Sequence, residues 1–117
     1  MKYFKRKEFA CKCGCGLDTV DFELASILDS LREHFNSPVL VDSGCRCSSQ
    51  NARIGGAKSS QHLLGRAADI KVEGHSPDEV ADYLDQLYPN FYGIGRYNTW
   101  THIDSRDSKA RWDERTK

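Results

Sequence analysis

Between positions 20 and 35 the apolar residues Val20, Leu24, Ile27, Leu28, Leu31 and Phe35 recur at helical spacing, and Asp21, Glu23, Asp29, Arg32 and Glu33 fill the remaining surface. That period predicts an amphipathic helix of about four turns, begun near Thr19 or Asp21 and stopped by Asn36-Ser37-Pro38. A second helix is announced by Ser76-Pro77-Asp78-Glu79: an N-cap serine, a proline at the first helical position and a glutamate to close a capping box. It continues through Val80, Tyr83, Leu84 and Leu87 and ends before Pro89.

The pattern changes to strand type elsewhere. Pro38–Ser43 and Ala67–Val72 read as buried strands, and 91–97 with 100–104 read as two more joined by a turn at Asn98-Thr99. Residues 1–17 predict an irregular or short-strand lead-in that ends in a Gly-rich turn. Residues 50–61 predict a Gly/Ser-rich loop with room for one helical turn, and 105–117 a polar segment anchored by Trp112. Two helices and about five short strands in mixed order predict an α+β fold with a mainly antiparallel sheet flanked by helices. At 117 residues, positions 1–117 make one domain.

Charge narrows the function classes. Lys+Arg and Asp+Glu both number 17. A chain without basic excess is not expected to bind nucleic acid. No apolar run approaches the ~20 residues of a membrane span. The basic start Met1–Lys7 has no apolar segment behind it, so no signal peptide is expected. Five cysteines fall in two groups, Cys11, Cys13, Cys15 and Cys45, Cys47. An odd count cannot close wholly into intramolecular disulfides, and C-x-C-x-C is not the usual C-x2-C zinc knuckle. Reduced or partly paired cysteines under an N-terminal loop are the expectation. A second metal site, or a thiol-based sensor, is the alternative.

The candidate chemistry lies in Ser59–Ile70. His62 and Asp69 have six residues between them, the second opening a strand, and His102 lies on a later one. Two imidazoles and a carboxylate form the ligand set of a catalytic zinc that keeps an open position. Strand alternation puts Trp100, His102 and Asp104 on one face. Asp104 there is an orienting partner for His102, a base, or an ordinary exposed carboxylate paired with Arg106. Arg46, in the loop after the first strand, either holds a substrate carboxylate or oxyanion or ties down a surface loop. His34, at a helix C-terminal end, reads as structural, and His75 as solvent-exposed.

Ser43-Gly44-Cys45-Arg46-Cys47, Ser60-Gln61-His62 through Asp69-Ile70, and Trp100–Arg106 together resemble the D-alanyl-D-alanine carboxypeptidase-like zinc peptidases, in their short phage and prophage branch. Glu8–Gly16 and Ala110-Arg111-Trp112 resemble that branch too. The resemblance implies a hedgehog/DD-peptidase-like fold and one catalytic Zn2+ on His62, Asp69 and His102. It further implies substrate and oxyanion contacts at Arg46 and a substrate-side position for Ser60. Many relatives carry an acid three residues before the second zinc histidine; Thr99 stands there, which leaves Asp104 as the local candidate for the base. The implied substrate is peptidoglycan or its precursor peptides, cut by a carboxypeptidase, endopeptidase or endolysin-like activity. The implied alternative is a non-catalytic zinc-containing peptidoglycan-binding or phage structural module. A monomer is expected, cytoplasmic until released and then acting at the bacterial cell wall.

Overall fold

A computed structural model describes residues 1–116; Lys117, the last residue of the expected polar segment, lies outside them. Helix α1 (Phe22–Phe35) starts where Asp21 accepts the Leu24 amide, and ends at Asn36 in a left-handed conformation. Leu24, Ile27, Leu28 and Leu31 on its inner face are buried. Strand β1 (Val39–Ser43) follows, then a short helix α2 (Ser48–Arg53) where one turn had room, and a 3-10 turn at Gln61–Leu64 carrying His62. Strand β2 (Ala67–Val72), helix α3 (Pro77–Leu87) capped by Ser76, and strands β3 (Gly93–Arg96), β4 (Thr101–Asp104) and β5 (Ala110–Asp113) complete the order.

The sheet runs β1-β2-β4-β3-β5, antiparallel except for the parallel pair β3–β5. The fold is therefore α+β, with three helices rather than two. The lead-in is a 3-10 turn at Arg6–Phe9 instead of a strand, and β5 lies inside the segment read as merely polar.

Strand alternation divides the sheet into two faces. Ala68, Ile70 and Val72, with Ile94 and Ile103, join the residues of α1 and α3 in one core. Thr101 belongs to that side, where its hydroxyl donates to the Pro77 carbonyl. His34 stacks on Tyr83 at 3.7 Å between ring centres, a packing role. His75 is half-buried rather than exposed, because it packs on Phe35 and pairs with Glu79 at 3.0 Å. The opposite face carries Ala67, Asp69, His102 and Asp104. Register sets Asp69 directly across from His102, and Ala67 across from Asp104. Beside them Gly93 is required: a Cβ there would fall on the Asp104 carboxylate.

Candidate metal centre

Three side chains remote in sequence meet on the polar face of the sheet. His62 comes from the 3-10 turn, Asp69 from β2 and His102 from β4, and one donor atom from each lies within 4.8 Å of the others. The turn is held by Ser60, whose hydroxyl accepts the His62 amide at 3.2 Å, and by Gly65 in a left-handed conformation at its end. The Arg46 amide donates to the His62 carbonyl, which ties the β1 loop to the same turn.

Each imidazole has one nitrogen engaged on its outer side. His62 Nδ1 donates to the Gly44 carbonyl at 2.7 Å, which turns Nε2 toward Asp69 Oδ2, 3.4 Å away. His102 Nε2 donates to Asp104 Oδ2 at 2.7 Å, and its Nδ1 lies 3.0 Å from Asp69 Oδ1. An outer hydrogen bond of this kind fixes the ring orientation and tautomer of a ligating histidine. The inner nitrogens and the Asp69 carboxylate thus face one point.

Electrostatics agree with the geometry. Burial works against the charge on Asp69, but hydrogen bonds from His102 and His62 outweigh it and hold the carboxyl well below its ordinary range. At Asp104, burial is likewise outweighed by His102 and Arg106. Burial would lower the His102 pKa, yet the two carboxylates flanking it raise it. Two ionised carboxylates around one imidazole favour a positive charge between them. A proton on His102 meets that demand in the chain alone. A divalent cation facing Asp69 would meet it with His102 neutral. Two nitrogens and one carboxylate oxygen suit zinc, so the donor set fits the ion.

Asp104 is neither exposed nor open to the cleft. It is 0% accessible, and its oxygens accept from His102, the Gly93 amide and the Arg106 guanidinium and amide. The Arg106 pairing considered for it is present, but buried on the Asp104 side. Thr99 is exposed and lies away from the centre.

Above the three side chains opens a cleft of about 550 Å³. Arg46 forms part of its floor, with 11% of its side chain accessible, and its guanidinium donates to Ser43, Asn51 and Asp69 at 3.2, 3.0 and 3.4 Å. Ser60 lines the same cleft. One wall is aromatic: Tyr97 stacks on Trp100 at 4.5 Å, the Trp112 indole donates to the Tyr97 hydroxyl at 2.9 Å, and Trp112 packs 4.9 Å from His102. Sequence reasoning put Trp100 on the His102 face but missed Asn51 and the parts of this wall from Tyr97 and Trp112. Trp112 stood out as an anchor and as part of the resembling Ala110-Arg111-Trp112 but not as a cleft residue, and nothing local marks Asn51.

Residues 2–104 match the peptidase M15 family. The chain belongs to that family. Its members are zinc-dependent peptidases, and membership points to a metallopeptidase whose candidate metal groups are His62, Asp69 and His102. The match stops at Asp104, so strand β5 with Trp112 lies beyond it, while Tyr97 and Trp100 of the same wall lie within it. Among curated proteins none matches the chain.

Proposed function

We propose that this M15 peptidase hydrolyses peptide bonds in peptidoglycan stem peptides or their cross-links, with His62, Asp69 and His102 holding one zinc ion. The observation that carries this reading is the convergence of three donors on the floor of an open cleft, each imidazole oriented from outside. A zinc ion held there would polarise a scissile carbonyl and acidify a water beside it.

The chain's own residues supply the rest. Arg46 offers a charged donor beside Asp69 for a substrate carboxylate or for negative charge developing on the carbonyl oxygen. Its bonds to Ser43 and Asn51 keep that guanidinium oriented. Ser60 sets the His62 turn and faces the substrate side. Asp104 positions His102 rather than taking a proton from the cleft, because each of its oxygens is already occupied and it has no accessible surface. The Tyr97–Trp100 stack and Trp112 give the substrate an apolar wall.

Purified peptidoglycan incubated with the zinc-loaded protein, followed by mass spectrometry of the soluble products, tests the reading. Released peptides or free D-alanine are expected, and their identity names the bond. An unchanged digest from a zinc-loaded chain would overturn it. That outcome would favour the second reading, a zinc-containing peptidoglycan-binding or phage structural module. One observation supports that alternative: among the described residues lining the cleft, Asp69 is the only carboxylate.

A further inference from the structure

A second group of metal-type donors lies outside the cleft. Cys11, Cys13 and Cys15 from the N-terminal loop meet Cys47, the N-cap residue of α2, with all four sulfurs within 4.8 Å of one another. We infer that these four thiols form a second, structural zinc site that staples the loop 11–17 to the segment bearing Arg46.

Three of the six sulfur–sulfur distances match the edges of a tetrahedron, and Cys15 lies within 4.8 Å of the other three. Cys11–Cys13, Cys13–Cys47 and Cys11–Cys47 are separated by 3.4, 3.6 and 3.8 Å. Four thiolates around zinc at about 2.3 Å stand about 3.8 Å apart along each edge. None of the five cysteines is in a disulfide. The odd count then divides into four and one, because Cys45 is 2% accessible, packs as a small apolar residue and is not among the four clustered sulfurs.

The surrounding backbone favours sulfur carrying negative charge. The Cys47 amide donates to Cys11 Sγ at 3.4 Å, and the Gln50 amide donates to Cys47 Sγ at 3.4 Å. Amides directed at ligand sulfurs orient the ligands and support the thiolate form. The loop is also shaped for it: the Gly14 amide donates to the Cys11 carbonyl, and the Cys11 amide closes on the Leu17 carbonyl at 2.7 Å. Lys12 through Leu17 are exposed, so no hydrophobic burial accounts for this defined path. Ordering a chain costs about 1–2 kcal/mol per residue, and a cross-link is the usual compensation where a core is lacking.

Four protein donors fill zinc's tetrahedral shell and leave no position for substrate. On binding, each thiol releases its proton to solvent and the sulfur keeps the electron pair. The site is thus structural, and its role reaches the cleft through one peptide bond, from Cys47 to Arg46.

Metal counting on reduced, anaerobically purified protein tests the inference independently of any peptidase activity. Wild type should hold two zinc ions per chain, His62→Ala one and Cys13→Ser one. Cobalt in place of zinc should give a sulfur-to-metal charge-transfer band in wild type and in His62→Ala. The band should be lost in Cys13→Ser. If Cys13→Ser does not fold, the cobalt spectrum of His62→Ala decides alone. A single zinc in wild type with none in His62→Ala, or cobalt-loaded His62→Ala without the band, would overturn the second site while leaving the cleft's reading intact.

Discussion

The two donor groups differ in number, in origin and in what encloses them. The cleft group takes three residues from a turn and two neighbouring strands, and Asp104, Gly44 and the β2–β4 register fix each one from behind. The thiol group takes three residues from a loop of five positions and one from a helix cap, with two backbone amides as its support. Three donors, two on the sheet and one on the turn beside it, leave one side of a bound ion for substrate, whereas four close around it. The cleft's three donors can stay in place without an ion, because strand pairing orders Asp69 and His102 and the Ser60 and Gly44 hydrogen bonds order His62. The loop has little besides the thiols to order it. Metal should therefore be a reagent in one place and a structural element in the other.

Removing a cleft donor gives the largest expected effect. His62→Ala or His102→Ala should bring peptidoglycan cleavage to the buffer background and release one zinc, while the melting temperature moves little by comparison. A large drop in melting temperature would blur the contrast between the two groups.

Cys11→Ser or Cys13→Ser should do the reverse. Loss of a structural metal belongs to the few changes that cost more than about 4 kcal/mol, which for a domain of this size lowers Tm by on the order of 20 °C. Calorimetry in reducing buffer, with residual cleavage assayed well below the transition, checks this. Retention of the wild-type Tm would remove the structural assignment.

Asp104→Asn keeps the shape but weakens the acceptor that orients His102. Loss of such an outer partner costs about 10- to 100-fold in metal affinity or activity, measurable by competition with a chromogenic chelator. The cobalt–sulfur band should not change.

Gly56→Ala sharpens the comparison further. A Cβ at that position would fall on the Asn51 carboxamide and crowd the Arg46 guanidinium. Cleavage should drop about tenfold, equivalent to roughly 1.4 kcal/mol, with both zinc ions retained. Loss of metal instead would show that the Arg46 loop supports the ligands themselves.

Ser60→Ala has the smallest expected effect. Removing the cap on the His62 amide should cost about 1 kcal/mol, seen as a small shift in the urea midpoint, with metal content unchanged.

Legibility in the sequence followed the locality of the cause. The two long helices were readable because their stripes and their caps, Asp21 and Ser76, are local signals. Helix α2 was not, since Ser48–Arg53 has no apolar period and is ordered by its Cys47 cap and by Asn51 reaching the Ala57 carbonyl. Strand β5 escaped because Ala110-Arg111-Trp112-Asp113 offers little alternation, and its parallel pairing with β3 is a tertiary contact. In the cleft, His62, Asp69 and His102 stood in a motif, so their candidacy was visible. The burial of Asp104 was not, because it depends on Gly93 across the sheet and on Arg106 turning back. For the thiols, C-x-C-x-C pointed away from zinc until folding brought Cys47 beside it.

The parallel strand β5 also divides the cleft in sequence. The cleft draws on residues from Arg46 to Trp112, and its aromatic wall needs the strand at the sheet edge. From that strand Trp112 packs on His102 and reaches Tyr97. The donors at 62, 69 and 102 all precede β5 in the chain, so the ion site and the last part of the substrate wall are separate in sequence. Removing β5 would leave all three donors in the chain and take away the Trp112 part of the surface that grips a peptide.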